Sequence, residues 1–244
     1  MEYELMQPHH ADQVAEIHIE GQPGTLLTNL GKPFLATLYS EICDSEWGFG
    51  VVALDNEAVV GVGILTTSTS RLFSDLKRRR GVQLLLTVVP RLLTHPHLVW
   101  DVYQSWRYPA KMGGGRELRL PDNGSARAAT QGSKGKDAEF LFLGVRKAYQ
   151  GQKIASGIFD SSVGFCQERK IEHLTAVVEH TNWRLHQVAS HHVARFGWRR
   201  VGQMELNGRL MDVIEIDLTR ELPPEEWGAG TLDPEVLPDK EGGQ

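Results

Sequence analysis

Before residue 45, apolar side chains recur at helical spacing in two stretches. Val14 and Ile17 mark a helix over 10–20, and Phe34, Leu35, Leu38, Tyr39 and Ile42 mark a second over 31–43. Ahead of them, Glu2–Met6 predicts a short first strand. Beyond them, two β-branched runs, Phe49–Leu54 and Ala58–Leu65, flank Asp55-Asn56-Glu57, a turn-forming cluster that predicts a hairpin. Leu72, Phe73 and Leu76 then precede Lys77-Arg78-Arg79-Arg80, and an apolar run from Val82 to Leu93 is broken at Pro90. That run is too short and too interrupted to span a bilayer.

The second half alternates strand and helix signals. Glu139–Val145 reads as a strand, and Ile154, Ile158, Phe159, Val163, Phe165 and Cys166 form an apolar helical face. His173–Val178 is a further strand, Trp183–Phe196 a helix, and a closing hairpin follows Gly197-Trp198. Between the first strand and its helix lies Gln150-Gly151-Gln152-Lys153-Ile154-Ala155. A strand, a glycine-bearing turn and a helix start leave backbone N–H groups without intrahelical partners, and the helix dipole adds positive charge there. Such a turn can hold a diphosphate, although an ordinary strand–turn–helix without a ligand has the same pattern. Neither a Walker loop nor a dinucleotide fingerprint is present, since both glycine patterns are missing.

Composition narrows the partners. The chain has 244 residues, 41% of them hydrophobic, enough for one sizeable core with additions. The additions expected are a helical insertion at 66–108 and a flexible loop at 109–136, rich in Gly, Ser, Ala, Lys and Arg. Residues 221–244 hold seven acidic side chains and one lysine, so the tail carries −6 of a total of −5, and the body is nearly neutral. A nearly neutral body with one basic cluster argues against a nucleic-acid partner, and Lys77–Arg80 reads as a solvated helix end. Two cysteines and paired histidines without ligand spacing predict no disulfide framework and no metal site. With no apolar segment near Met1, a cytoplasmic protein with no membrane partner is expected.

The order of strand, Gln150–Ala155 loop, helix, strand, Asn182, helix and Gly197-Trp198 resembles the GNAT (GCN5-related N-acetyltransferase) superfamily over about residues 137–218. In the first half, Leu30-Gly31-Lys-Pro-Phe34-Leu35-Ala-Thr-Leu38-Tyr39 resembles the helix pair of a GNAT subgroup. The resemblance implies one α/β (α+β) domain over 1–220, with a mixed, mainly antiparallel sheet and two splayed parallel central strands flanked by helices. It implies acetyl-CoA as cosubstrate, held by Leu143, Gly144, Val145, Gln150, Gly151, Gln152, Lys153, Ile154, Ala155 and Asn182. Lys153 stands where the family usually has glycine, which is tolerable if its backbone takes ordinary helical angles. Catalytic candidates are Glu139 as general base, Glu179 as the competing carboxylate and His192 as a proton donor to sulfur, with Tyr149 a further possibility. The family's tyrosine position holds Val193. A solvent-facing strand residue is the other reading of Glu139.

The implied reaction moves acetyl from acetyl-CoA to a primary amine of a small molecule in a ternary complex. A protein N-terminal or lysine acetyltransferase and a non-catalytic acyl-CoA-binding module remain as alternatives. Oligomeric state stays open, with a homodimer among the options.

Overall fold

A computed structural model describes residues 1–94, 136–182, 196, 198–206, 209–219 and 221. The expected helix at 183–196, apart from Phe196, nearly all of the 109–136 loop and the tail beyond 221 lie outside these residues. The described chain forms two units, one of residues 1–94 with 139–164 and another of 136–138 with 165–221. All strand pairings within each are antiparallel. The fold is mixed α/β with a mostly antiparallel arrangement of strands.

In the first unit, β1 (Glu2–Leu5), β2 (Gly48–Asp55), β3 (Ala58–Thr66) and β4 (Asp137–Val145) pair in the order β1-β2-β3-β4. The β2–β3 hairpin turns through Asn56 and Glu57, both at positive φ (48° and 68°), as a tight hairpin between right-twisted strands requires. Helices α1 (Ala11–Gly21), α2 (Leu26–Leu30), α3 (Lys32–Cys43) and α4 (Thr69–Thr94) follow in chain order. One face of the sheet is covered by Val14, Ala15 and Ile17 of α1, by Leu35, Leu38, Tyr39 and Ile42 of α3, and by Leu72 and Leu76 of α4. The opposite face meets α5 (Ile154–Glu168) through Ile154, Ile158 and Phe159. Covering on both sides explains why β2 and β3 are apolar almost throughout instead of alternating.

α4 departs from the sequence expectation. It runs through Pro90 without a break, and its non-helical residue is Arg80, at φ −134° and ψ 18°. Lys77–Arg80 therefore ends only the first arm of the helix. Arg78 and Arg79 both reach Asp75 at 3.1 Å, and Arg80 reaches the buried Glu41 at 2.9 Å.

A bulge in β4 decides which side chains face which layer. Ile64 pairs with Phe142 but Leu65 pairs with Phe140, so Leu141 is the extra residue. Phe142 joins the cluster on the α1–α3 side, and Phe140 stacks on Phe159 of α5. In an unbulged strand the two rings would share a face. The same shift leaves Glu139 on the side of α4.

The second unit holds β5 (His173–Glu179), β6 (Trp198–Leu206) and β7 (Arg209–Asp217), paired in the order β5-β7-β6. Leu174, Val178, Ile214 and Ile216 are buried in it. The buried carboxylate of Asp212 gathers His180 Nδ1 at 2.9 Å and Gln203 Nε2 at 2.8 Å.

His18 sits inside the first unit with its Nδ1 2.6 Å from the Tyr39 hydroxyl and its ring 4.7 Å from that of Phe142. Its Nε2 is buried and has no hydrogen-bond partner among the described residues. Burial lowers the pKa of His18 to about 4 and raises that of Tyr39. Because the folded value lies below the unfolded one near 6.5, the stability linked to a neutral His18 is complete above about pH 6.5 and is lost as pH falls toward 4. Chemical denaturation of the wild type should show a loss on the order of 2 kcal/mol more between pH 7 and pH 4.5 than that of His18→Gln. Equal losses in the two proteins would remove His18 from the acid response.

Candidate active site

At the end of β4 the chain makes one 3-10 turn, Lys147–Tyr149, and then an open loop into α5. Gly151 has φ +82° and Lys153 has φ +61°. The expectation of ordinary helical angles at Lys153 is thus corrected, since the lysine occupies a left-handed conformation that glycine adopts without cost. Among the described residues, the N–H groups of Gly151 through Ser156 have no backbone or side-chain acceptor. The first intrahelical bond recorded from this turn is Gly157 N–H to Lys153 C=O, at 3.1 Å. A Cβ added to Gly151 would meet nothing within 4 Å, so the backbone there is open to a ligand.

This loop is tied down by polar contacts that the sequence reading missed. Arg146 donates from its backbone to Val60 C=O at 2.9 Å, from Nε to Val59 C=O at 2.8 Å and from Nη2 to Glu16 Oε2 at 3.0 Å. Lys147 N–H donates to Glu20 Oε1 at 2.7 Å, and Gln13 Oε1 accepts from Val59 N–H at 2.8 Å. Gln13, Glu16 and Glu20 are three and four residues apart, so α1 presents them as one polar edge. That spacing was the available signal. Lys32 and Arg146 together hold the Glu16 carboxyl below its usual range. The Tyr149 hydroxyl donates to Asp55 Oδ2 at 3.0 Å, a hydrogen bond that pushes its pKa up. Tyr149 thus tethers the 3-10 turn to the hairpin.

Glu139 lies at the other end of β4, about 20 Å from Val145 at 3.4 Å per residue. It is half-buried, and Thr69 at the start of α4 donates to its Oε2 at 2.6 Å. It is therefore not a freely solvated strand residue. Leu143 and Val145 are partly exposed, whereas Gly144 is required by packing. A Cβ there would come within 2.7 Å of Phe142 and 2.9 Å of Ile17.

The first unit thus holds Glu139 at one end of β4 and Leu143–Val145 with Gln150–Ala155 at the other. Glu179 and Asn182 belong to the second unit. Glu179 is engaged by Arg209 at 3.1 Å and by the Thr181 hydroxyl at 3.3 Å, and Asn182 N–H closes a turn on Glu179 C=O. His192 lies outside the described residues. Cys43 and Cys166 are no nucleophiles, because burial pushes both thiols up to about 12.

Lys153 gives a direct test of this geometry. A left-handed non-glycine residue costs roughly 1–2 kcal/mol, and glycine recovers most of that at an entropic cost of about 0.5–1 kcal/mol. Lys153→Gly should therefore raise the melting temperature by about 1–3 °C. A lower melting temperature would mean that the loop does not hold this backbone.

Protein-family models give no match to the chain, and curated protein sequences give none either. Solved structures do match. An acetyltransferase crystal structure superposes with a TM-score of 0.53 at 11% identity, covering 89% of this chain and 100% of that one. The yncA protein from Salmonella typhimurium, solved with its cofactor acetyl-CoA, gives 0.51 at 12% identity over 92% and 97%. A spermidine N-acetyltransferase chimera, SpeG from Vibrio cholerae with hSSAT, gives 0.52 at 10% identity over 90% and 97%. Together with the strand, bulge, loop and helix described above, these likenesses show that the chain has the fold of the GNAT acetyltransferases.

Proposed function

We propose that the protein transfers the acetyl group of acetyl-CoA to a primary amine of a small molecule, within one ternary complex. The observation that carries this reading is the row of unpaired N–H groups from Gly151 to Ser156, at the end of the same strand that bears Glu139. Gln150 to Ala155 would hold the diphosphate, with Gly151 leaving the backbone uncovered and the exposed Lys153 adding a cation. The backbone of Leu143–Val145 would face the pantetheine arm. When bound, acetyl-CoA supplies the acetyl carbon as a thioester, so no covalent enzyme intermediate is needed.

Glu139 is the base in this scheme. Thr69 fixes one carboxylate oxygen and leaves Oε1 to accept the ammonium proton of the acceptor, freeing the nitrogen lone pair for attack. Glu139 is chosen over Glu179 because the Glu179 carboxylate is already engaged by Arg209 and Thr181. A small acceptor is in keeping with the spermidine acetyltransferase among the similar structures.

Acetyl-CoA at about 100 times its dissociation constant should stabilise the protein by roughly 2.7 kcal/mol. Ala155→Glu, which adds bulk and negative charge at the helix N-terminus, should abolish most of that gain while Glu139→Gln preserves it. With a panel of small amines, free thiol should appear, and Glu139→Gln should slow its release by roughly 10²-fold. Thiol release only with peptides would assign the acceptor to proteins. No acetyl-CoA-dependent stabilisation at all would overturn the reading.

A further inference from the structure

The loop between β4 and α5 is a short bridge between two fixed points on the β2–β3 hairpin. Its far end is the buried Ile154, whose Cγ2 lies 3.0 Å from where a Cβ on Gly61 would sit. Its near end is Tyr149. That residue closes the 3-10 turn by donating its N–H to Arg146 C=O at 2.9 Å, and its hydroxyl donates to Asp55 Oδ2 at 3.0 Å. Only Gln150, Gly151, Gln152 and Lys153 lie between the two ends. Two of these four have positive φ, +82° at Gly151 and +61° at Lys153.

A chain held at both ends has few ways to span the gap. Gly151 takes its left-handed angle freely, whereas Lys153 adopts the same region against the preference of an L side chain. Released at one end, Lys153 can return to a right-handed or extended backbone, and the open N–H groups that follow it move with it. The two anchors differ in kind. Ile154 is packed into the core, while Tyr149 is half-buried and held to the hairpin by one hydroxyl. Arg146 and Lys147 fix the start of the 3-10 turn, three and two residues earlier, and leave its end to Tyr149. The acceptor is itself well placed, because Asp55 ends β2 where Asn56 and Glu57 make the tight turn.

We infer that Tyr149 is a positioning residue for cofactor binding: through its hydrogen bond to Asp55 it keeps Lys153 left-handed and so keeps the loop in the conformation that receives the diphosphate. The inference rests on the reading of Gly151–Ser156 as the diphosphate site, and it gives Tyr149 no proton to move in the reaction. Without the tether, the receptive loop is one conformer among several. Apparent affinity for CoA then falls by the fraction that stays receptive.

Tyr149→Phe removes the hydroxyl and leaves the ring. Calorimetric titration of the full chain with CoA should show affinity about 5-fold or more below wild type, while turnover at saturating acetyl-CoA stays within about 2-fold. Asp55→Ala should match Tyr149→Phe, and Asp55→Asn, which keeps an acceptor oxygen, should bind close to wild type. In a Lys153→Gly background, where the backbone needs no restraint, Tyr149→Phe should lower affinity by less than about 2-fold. NMR of the unliganded wild type should show a strong intraresidue amide–Hα NOE at Lys153, the mark of positive φ, and Tyr149→Phe should weaken it. Wild-type affinity in Tyr149→Phe with that NOE intact would overturn the proposal. So would unchanged affinity with turnover lowered by roughly 10²-fold, which would make Tyr149 a proton donor. A wild type that binds no CoA would overturn the diphosphate reading, and the NOE would then decide on its own whether Tyr149 holds Lys153.

Discussion

The approach of α5 to the sheet is the constraint on which the candidate site depends. A Cβ on Gly63 would lie 2.8 Å from Ile158 Cγ2 and 2.9 Å from the Phe140 ring, and one on Gly61 would lie 2.7 Å from Ile158 Cδ1. Side chains at these two β3 positions would lift the helix off the strands. Without them, Ile154 and Ile158 rest directly on the β3 backbone, and the N-terminus of α5 comes to the end of β4 with its first N–H groups unpaired. Helix seating and the openness of the loop's N–H groups thus have one cause. These two glycines set how closely the helix approaches the strands.

Seating the helix does not by itself shape the loop. Arg146 and Lys147 fasten the end of β4 to α1 and to β3, and Tyr149 fastens the 3-10 turn to the β2–β3 hairpin. These ties hold both sides of the loop, so the left-handed backbone at Lys153 is carried by neighbouring contacts although a lysine resists it. The strain sits beside N–H groups that, among the described residues, have no acceptor. At the far end of the strand, the Leu141 bulge turns Glu139 toward Thr69, which sets the carboxylate by a single short hydrogen bond.

Much of this was legible in the sequence where one physical signal dominates. Helical spacing in α1 and α3, the Asp55–Glu57 turn and the strand–loop–helix at 139–168 all appear close to where pattern placed them. What pattern missed depends on partners distant in sequence. The bulge has no local marker, because Leu141 is as apolar as its neighbours and only register against β3 reveals it. The His18–Tyr39 pair joins two helices whose polar residues look like interruptions of an apolar face. Pro90 was overvalued as a breaker: α4 continues through it, and the helix bends instead at Arg80, where the guanidinium turns to Glu41. For the site, the loop was found from its Gln-Gly turn and helix, while its anchors on α1 were overlooked because Glu16 and Glu20 look like ordinary solvated charges.

If the protein works as proposed, the open N–H groups from Gly151 to Ala155 bind the diphosphate of acetyl-CoA. Two-dimensional amide NMR during titration with CoA reads those groups one by one. Saturable downfield shifts of the Gly151, Gln152, Lys153, Ile154 and Ala155 amide protons, as hydrogen bonds to an anion produce, are the predicted result. Binding of CoA that leaves these five amides in place and moves others would contradict the account.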